Sequence, residues 1–126
     1  MKINNSSGGG VAITSGKTQV FASAAAPNVW TDLDLSAVVG PRLALVIILI
    51  ENTDVLNHRF GFRQNGEVEL DAIGSVNSIS GAGSGTELVA GAWGCVIVMT
   101  DSSGIVEWCS NAVGRTAALD VIGFIA

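Results

Sequence analysis

Residues 94–110 read GCVIVMTDSSGIVEWCS. Two apolar runs flank a short polar segment, and a cysteine sits near each outer end. Asp101-Ser102-Ser103-Gly104 suits a four-residue turn built on a type I bend, with Asp at its first position and Gly at its last. The flanking runs are short and β-branched, the composition of strands. The stretch therefore predicts a β-hairpin. If Thr100 pairs with Ile105, Ile97 faces Trp108 and Met99 faces Val106, an apolar face. In that register Cys95 and Cys109 point to opposite faces and cannot bond, so they act as small apolar residues. A register slipped by one would bring Cys95 opposite Cys109.

Working outward, the same grammar recurs. In NVWTDLDL (28–35), Leu33 and Leu35 alternate with Asp32 and Asp34, the period of a half-buried strand. A Gly40-Pro41 turn separates it from the aliphatic run at 43–50, whose length and branching predict a strand buried on both faces. In HRFGFR (58–63), Phe60 and Phe62 share one face and the arginines the other. Asn65-Gly66 is the preferred dipeptide of a two-residue hairpin, with 67–71 as its return strand. Further strands are expected near 11–14, 18–24, 87–90, 95–100, 105–109 and 117–126. Residues 81–85 (GAGSG) read as a loop. No stretch carries a sustained helical period. About eight or nine short strands joined by Gly-, Asn- and Asp-rich turns predict an all-β sandwich or barrel with antiparallel pairing.

The chain has 126 residues, enough for one domain with a substantial core. Residues 1–10 read as a flexible Gly/Ser-rich arm, and 11–126 as a single β-sandwich domain. Hydrophobic residues make up 48 % and charged residues 13 %, against roughly 25 % charged in an average soluble domain. So little charge leaves a surplus of apolar exterior for a partner or for further copies of the chain. Net charge is −5, and the six basic residues (Lys2, Lys17, Arg42, Arg59, Arg63, Arg115) are scattered. Phosphate recognition needs converging cations, so neither nucleic acid nor an anionic membrane is an expected partner. The N-terminal ten residues lack the apolar core of a signal peptide, so synthesis in a reducing compartment is expected.

Catalytic and cofactor motifs are not legible. His58 is the single histidine, and no Gly-x-Ser-x-Gly elbow accompanies it. Two cysteines and one distant histidine do not make a metal site. Asp32 and Asp34, like Glu67, Glu69 and Asp71, read as solvated strand faces. No enzyme activity and no cofactor are expected. The candidate interface or binding residues are the large aromatics Trp30, Trp93, Trp108, Phe60 and Phe62. The three indoles would either stack a sugar or pack in a core or interface.

Three phrases taken in order, VWTDLDLS (29–36), FRQNG (62–66) and TDSSGIVEW (100–108), resemble small β-sandwich modules of tailed-bacteriophage virions. These occur as head decoration (cement) proteins and as jelly-roll heads of fibres. The resemblance implies a jelly-roll-like sandwich and a non-enzymatic homotrimer that binds itself and the major capsid protein or another virion protein. It further implies a place in the virion, after assembly in the cytoplasm of a bacterial host. A receptor- or glycan-binding fibre head is the alternative it carries.

Overall fold

A computed structural model describes residues 2–4, 10–12, 18–21, 29–67, 84–111 and 117–126. In chain order the elements are β1 (Lys2–Asn4), β2 (Gly10–Ala12), β3 (Thr18–Phe21), β4 (Thr31–Asp34), a single helical turn α1 (Ser36–Val39), β5 (Leu45–Asn52), β6 (His58–Gln64), β7 (Ser84–Leu88), β8 (Trp93–Met99), β9 (Ile105–Ser110) and β10 (Ala117–Ile125). The chain is an all-β antiparallel sandwich of two sheets. The first runs β1-β2-β10-β5-β8, with β3 also pairing β10, and the second runs β4-β9-β6-β7. Within the stretch expected to be an arm, β1 pairs with β2 and β2 with β10.

From β3 onward the pairing is nested. β3 pairs with β10, β4 with β9, β5 with β8 and β6 with β7, all antiparallel. A long double strand, folded between β6 and β7, has wrapped so that alternate pairs fall in opposite layers. That connectivity is a jelly roll. The core lies between the layers. Val46, Ile48 and Ile50 of β5 and Val96 and Val98 of β8 meet Phe60, Phe62, Val106 and Trp108 of the second sheet, all buried. Trp108 stacks on Phe62 with ring centroids 6.3 Å apart and planes 24° apart.

The stretch at 94–110 is corrected by this topology. β8 and β9 do not pair with one another: β8 lies beside β5 in the first sheet, and β9 lies between β4 and β6 in the second. The polar turn is an arch between layers. Its chemistry is as expected, for the Asp101 carboxylate Oδ1 accepts from the Ser103 and Ile105 N–H groups at 2.8 and 2.9 Å. Oδ2 accepts from Asn65 Nδ2 at 2.8 Å. The backbone bond from Ile105 and that side-chain bond from Asn65 hold the Asp101 carboxyl below its ordinary range. A turn of this kind bends the chain equally well within a sheet or across it. The choice went to β5, whose aliphatic run offers β8 a seven-residue ladder. Thr100, fully buried, anchors the arch by donating to Arg42 O (2.8 Å) and accepting from Ala44 N (2.8 Å).

Other boundaries shift. The aliphatic strand begins at Leu45 and continues through Glu51 and Asn52; Leu43 is exposed. β7 starts at Ser84, inside the stretch read as a loop. The Asn65-Gly66 turn forms, with Gly66 at φ +81° and Glu67 N donating to Gln64 O at 3.1 Å. Of its expected return strand at 67–71, Glu67 lies outside any strand and 68–71 lies outside the described residues. At the far end of the sandwich Asn52, fully buried, spreads its Nδ2 over the carbonyls of Leu56, Leu88 and Val89 at 2.8, 3.1 and 3.2 Å. This ties the 53–57 connection to the 89–92 turn.

Gly104 is needed twice over. Its φ is +83°, and a Cβ there would lie 2.5 Å from the Gly40 carbonyl oxygen. Gly104→Ala is expected to lower the unfolding free energy by at least about 2 kcal/mol, from left-handed backbone strain plus overpacking. Urea titration of both proteins measures it. Acidification acts in the same place. A carboxyl whose folded pKa is depressed contributes stability above its unfolded pKa and loses it as pH falls, so the arch weakens below about pH 4. Asp101→Asn should flatten the acid limb of the stability profile.

Candidate functional site: an apolar outer face

The two outer faces differ in chemistry. On the second sheet, Asp32 and Asp34 of β4, Glu107 of β9, Arg59 and Arg63 of β6 and Glu87 of β7 project outward. Arg63 Nε meets Glu107 Oε2 at 2.6 Å, and Arg59 Nε meets Glu87 Oε2 at 3.3 Å. Trp30, half-buried, lies under the Arg63 guanidinium, 4.2 Å from ring centroid to Cζ. This face is charged and internally paired, with the Arg63–Glu107 pair largely buried and the Arg59–Glu87 pair more exposed. The Asp34 carboxyl accepts from Ser36 N at 2.9 Å, and hydrogen bonding with Ser36 lowers its pKa.

The outer face of the first sheet is apolar. Alternation sends Leu45, Ile47, Leu49 and Glu51 of β5 outward, and with them Trp93, Cys95, Ile97 and Met99 of β8; of the β5 residues Leu49 is buried, Leu45 and Ile47 are half-buried and Glu51 is exposed. The registers set these in rows: Ile125–Leu45–Met99, Gly123–Ile47–Ile97, Asp120–Leu49–Cys95 and Ala118–Glu51–Trp93. A bulge between Val121 and Gly123 changes the phase of β10, which puts Phe124 against the core and Ile125 outside. Trp93, Ile97, Met99 and Ile125 are 69, 53, 42 and 51 % exposed. Together they show on the order of 450 Å² of apolar surface, within the ~300–600 Å² of the largest patch on a typical monomer, which is often functional. Exposed Val55, Leu56 and Val89 lie on the two connections that Asn52 ties together.

The five candidate aromatics are thus separated. Phe60, Phe62 and Trp108 are core residues, at most 1 % exposed. Trp30 belongs to the charged face and Trp93 to the apolar one, so the three indoles do not converge on a single surface. Trp93 is the candidate that reaches the apolar face. Ile97, Met99, Ile125 and Leu45 were missed. For Leu45, Ile97 and Met99 the signal was available in the run of apolar residues at both parities of β5 and β8, which exceeds what one buried face requires; Ile125 faces outward because of the bulge in β10, which left no such signal.

The remaining chemistry is sparse. His58 Nε2 is paired with the Asp54 carboxylate, and both side chains are largely buried. The pair joins the 53–57 connection to β6. Among the described residues no three His, Cys, Asp or Glu side chains gather as a metal site. No helix among them is long and apolar enough to cross a membrane. A shallow depression of about 160 Å³ lined by Arg59, Phe60, Gly85, Thr86 and Glu87 is smaller than the ~300–1,000 Å³ of a small-molecule pocket. Both cysteines are free thiols, in different sheets: Cys95 is exposed on the apolar face and Cys109 is buried. Burial pushes the Cys109 thiol up to about 12.

No family model matches the chain, and no curated protein matches it. Among solved structures, the coat protein of Tobacco streak virus is similar, at 12 % identity and a TM-score of 0.41, over 91 % of this chain and 83 % of that one. The nested strand pairing, independent of this similarity, defines the jelly roll.

Trp108→Ala should lower stability by about 3–5 kcal/mol, whereas Trp93→Ala should change monomer stability by no more than about 0.5 kcal/mol; denaturant titration compares them. At pH 8 a thiol reagent should modify one cysteine per native chain, Cys95, and two after unfolding. A thiol whose folded pKa is raised contributes stability that is complete below its unfolded pKa, so stability should fall as pH climbs from about 9 toward 12.

Proposed function

We propose that the protein is a non-enzymatic structural subunit of a virus particle, of the head decoration type, which docks through the outer face of its first sheet. One observation carries the reading: Trp93, Ile97, Met99 and Ile125 stand exposed on one sheet face, while the opposite sheet carries ion-paired charges. Burying such a face against a protein shell removes apolar area from water at roughly 25 cal/mol per Å² before association costs. Repetition by the symmetry of a shell multiplies a modest contact into a firm one. The jelly-roll connectivity itself hosts many functions and does not select among them. The selection comes from this face, together with the resemblance of 29–36, 62–66 and 100–108 to phage virion modules. The occupant is the protein surface of the particle's shell.

Co-sedimentation of the purified chain with assembled shells tests the proposal. Binding should saturate at a fixed stoichiometry. Ile125→Lys, on the apolar face but away from β8, should weaken it at least tenfold with an unchanged far-ultraviolet spectrum. Glu87→Lys, on the opposite sheet, should leave it intact. A chain that never sediments with shells, or one whose binding follows Glu87 and ignores Ile125, overturns the reading.

A further inference from the structure

Three of the sheet edges are blunted in familiar ways. β4 has four residues with Asp32 and Asp34 among them, β7 has five with Glu87 and a glycine, and β1 has three. Shortness and charge are how edge strands avoid pairing with other chains. β8 has neither protection. It is seven residues long, WGCVIVM, with no charge and no proline, and β5 is its single neighbour among the described strands.

The direction of its free backbone groups follows from the ladder. Asn52 N donates to Ala92 O at 2.8 Å, and Thr100 N donates to Ala44 O at 2.9 Å. These bonds mark hydrogen-bonded pairs at the two ends of an unbroken β5–β8 register. Hydrogen-bonded and non-bonded pairs alternate along an antiparallel ladder. Gly94, Val96 and Val98 therefore bond to β5, while the N–H and C=O groups of Cys95, Ile97 and Met99 face away from it, along an edge that no other described strand pairs. The side chains of those same three residues lie on the apolar outer face.

We propose that β8 pairs antiparallel with β8 of a second copy of this chain, about a twofold axis at Val96. That centre uses the whole strand. It sets Cys95 opposite Ile97 of the second copy and Trp93 opposite its Met99, an indole beside a thioether. A twofold pairing brings a strand against itself, and β8 has no charge to repel its own image. A seven-residue edge pair with its flanking side chains buries on the order of 1,000 Å² in total, the lower bound for a specific interface. The two first sheets become one continuous sheet, and its apolar outer face doubles in width. The inference goes beyond docking to a shell and requires no shell.

Light scattering of the full chain at micromolar concentration should give the mass of a dimer. A bismaleimide with a spacer of about 8 Å should then join Cys95 to Cys95, because diagonal neighbours across such a pair lie ~7–8 Å apart. Buried Cys109 stays unlinked. Ile97→Pro removes an N–H that points to the open edge, so it is compatible with the β5 ladder. It should yield a folded monomer with at least tenfold weaker association and no cross-link. Ile97→Lys should do the same and serves if the proline variant fails to fold. A wild-type monomer, a trimer, a dimer that persists in both variants, or a cross-link formed only with a different protein overturns the pairing. A dimer that ignores shells upholds it and overturns the docking reading instead.

Discussion

β5 is aliphatic on both faces, and a two-layer sandwich supplies a partner for one. Val46, Ile48 and Ile50 take that partner and are fully buried against the second sheet. Leu45, Ile47 and Leu49 are then forced outward by the two-residue period of the strand. Its neighbour repeats the problem, with Val96 and Val98 inside and Trp93, Ile97 and Met99 outside. A register slip cannot relieve it, because moving one residue along exchanges one apolar row for another. Leu49 is nonetheless buried and Leu45 and Ile47 half-buried within the subunit, so the surplus left in water is concentrated on Trp93, Ile97 and Met99 of β8 and Ile125 of β10.

The second sheet obeys the opposite rule. Leu33, Phe60, Phe62, Val106 and Trp108 face in, and Asp32, Arg59, Arg63 and Glu107 face out. The Arg63–Glu107 pair with Trp30 covering the guanidinium closes that surface on itself. One subunit therefore presents two unlike surfaces, a finished one and an unfinished one. Its edges show the same asymmetry, with acidic residues on β4 and β7 and none on β8.

Much of this was legible in the residues. The alternation of Leu33 and Leu35 with aspartates, the paired phenylalanines on β6, and the Asp101–Gly104 turn were all recoverable because each signal is local. Strand partnership was not. A polar turn marks where the chain bends but says nothing about whether its two arms remain in one layer, so β8 and β9 read as a hairpin and are an arch. The tryptophans were hidden for a related reason. Trp93 and Trp108 are the same residue in similar strands, and only the phase of each strand relative to the opposing layer sends one outward and the other into the core. The hydrogen-bond hub at Asn52 depends on carbonyls of Leu88 and Val89, distant in sequence, and left no local trace.

The outer face of the first sheet must be covered when the protein works. Hydroxyl-radical footprinting reads this directly, since indoles and thioethers are among the most readily oxidised side chains and Trp93 and Met99 both lie on that face. Comparing the dispersed chain with its assembled form, the account predicts that oxidation of Trp93 and Met99 falls sharply on assembly while that of Trp30 on the charged face does not. Equal oxidation of Trp93 and Met99 in both states, or protection confined to Trp30, would contradict it.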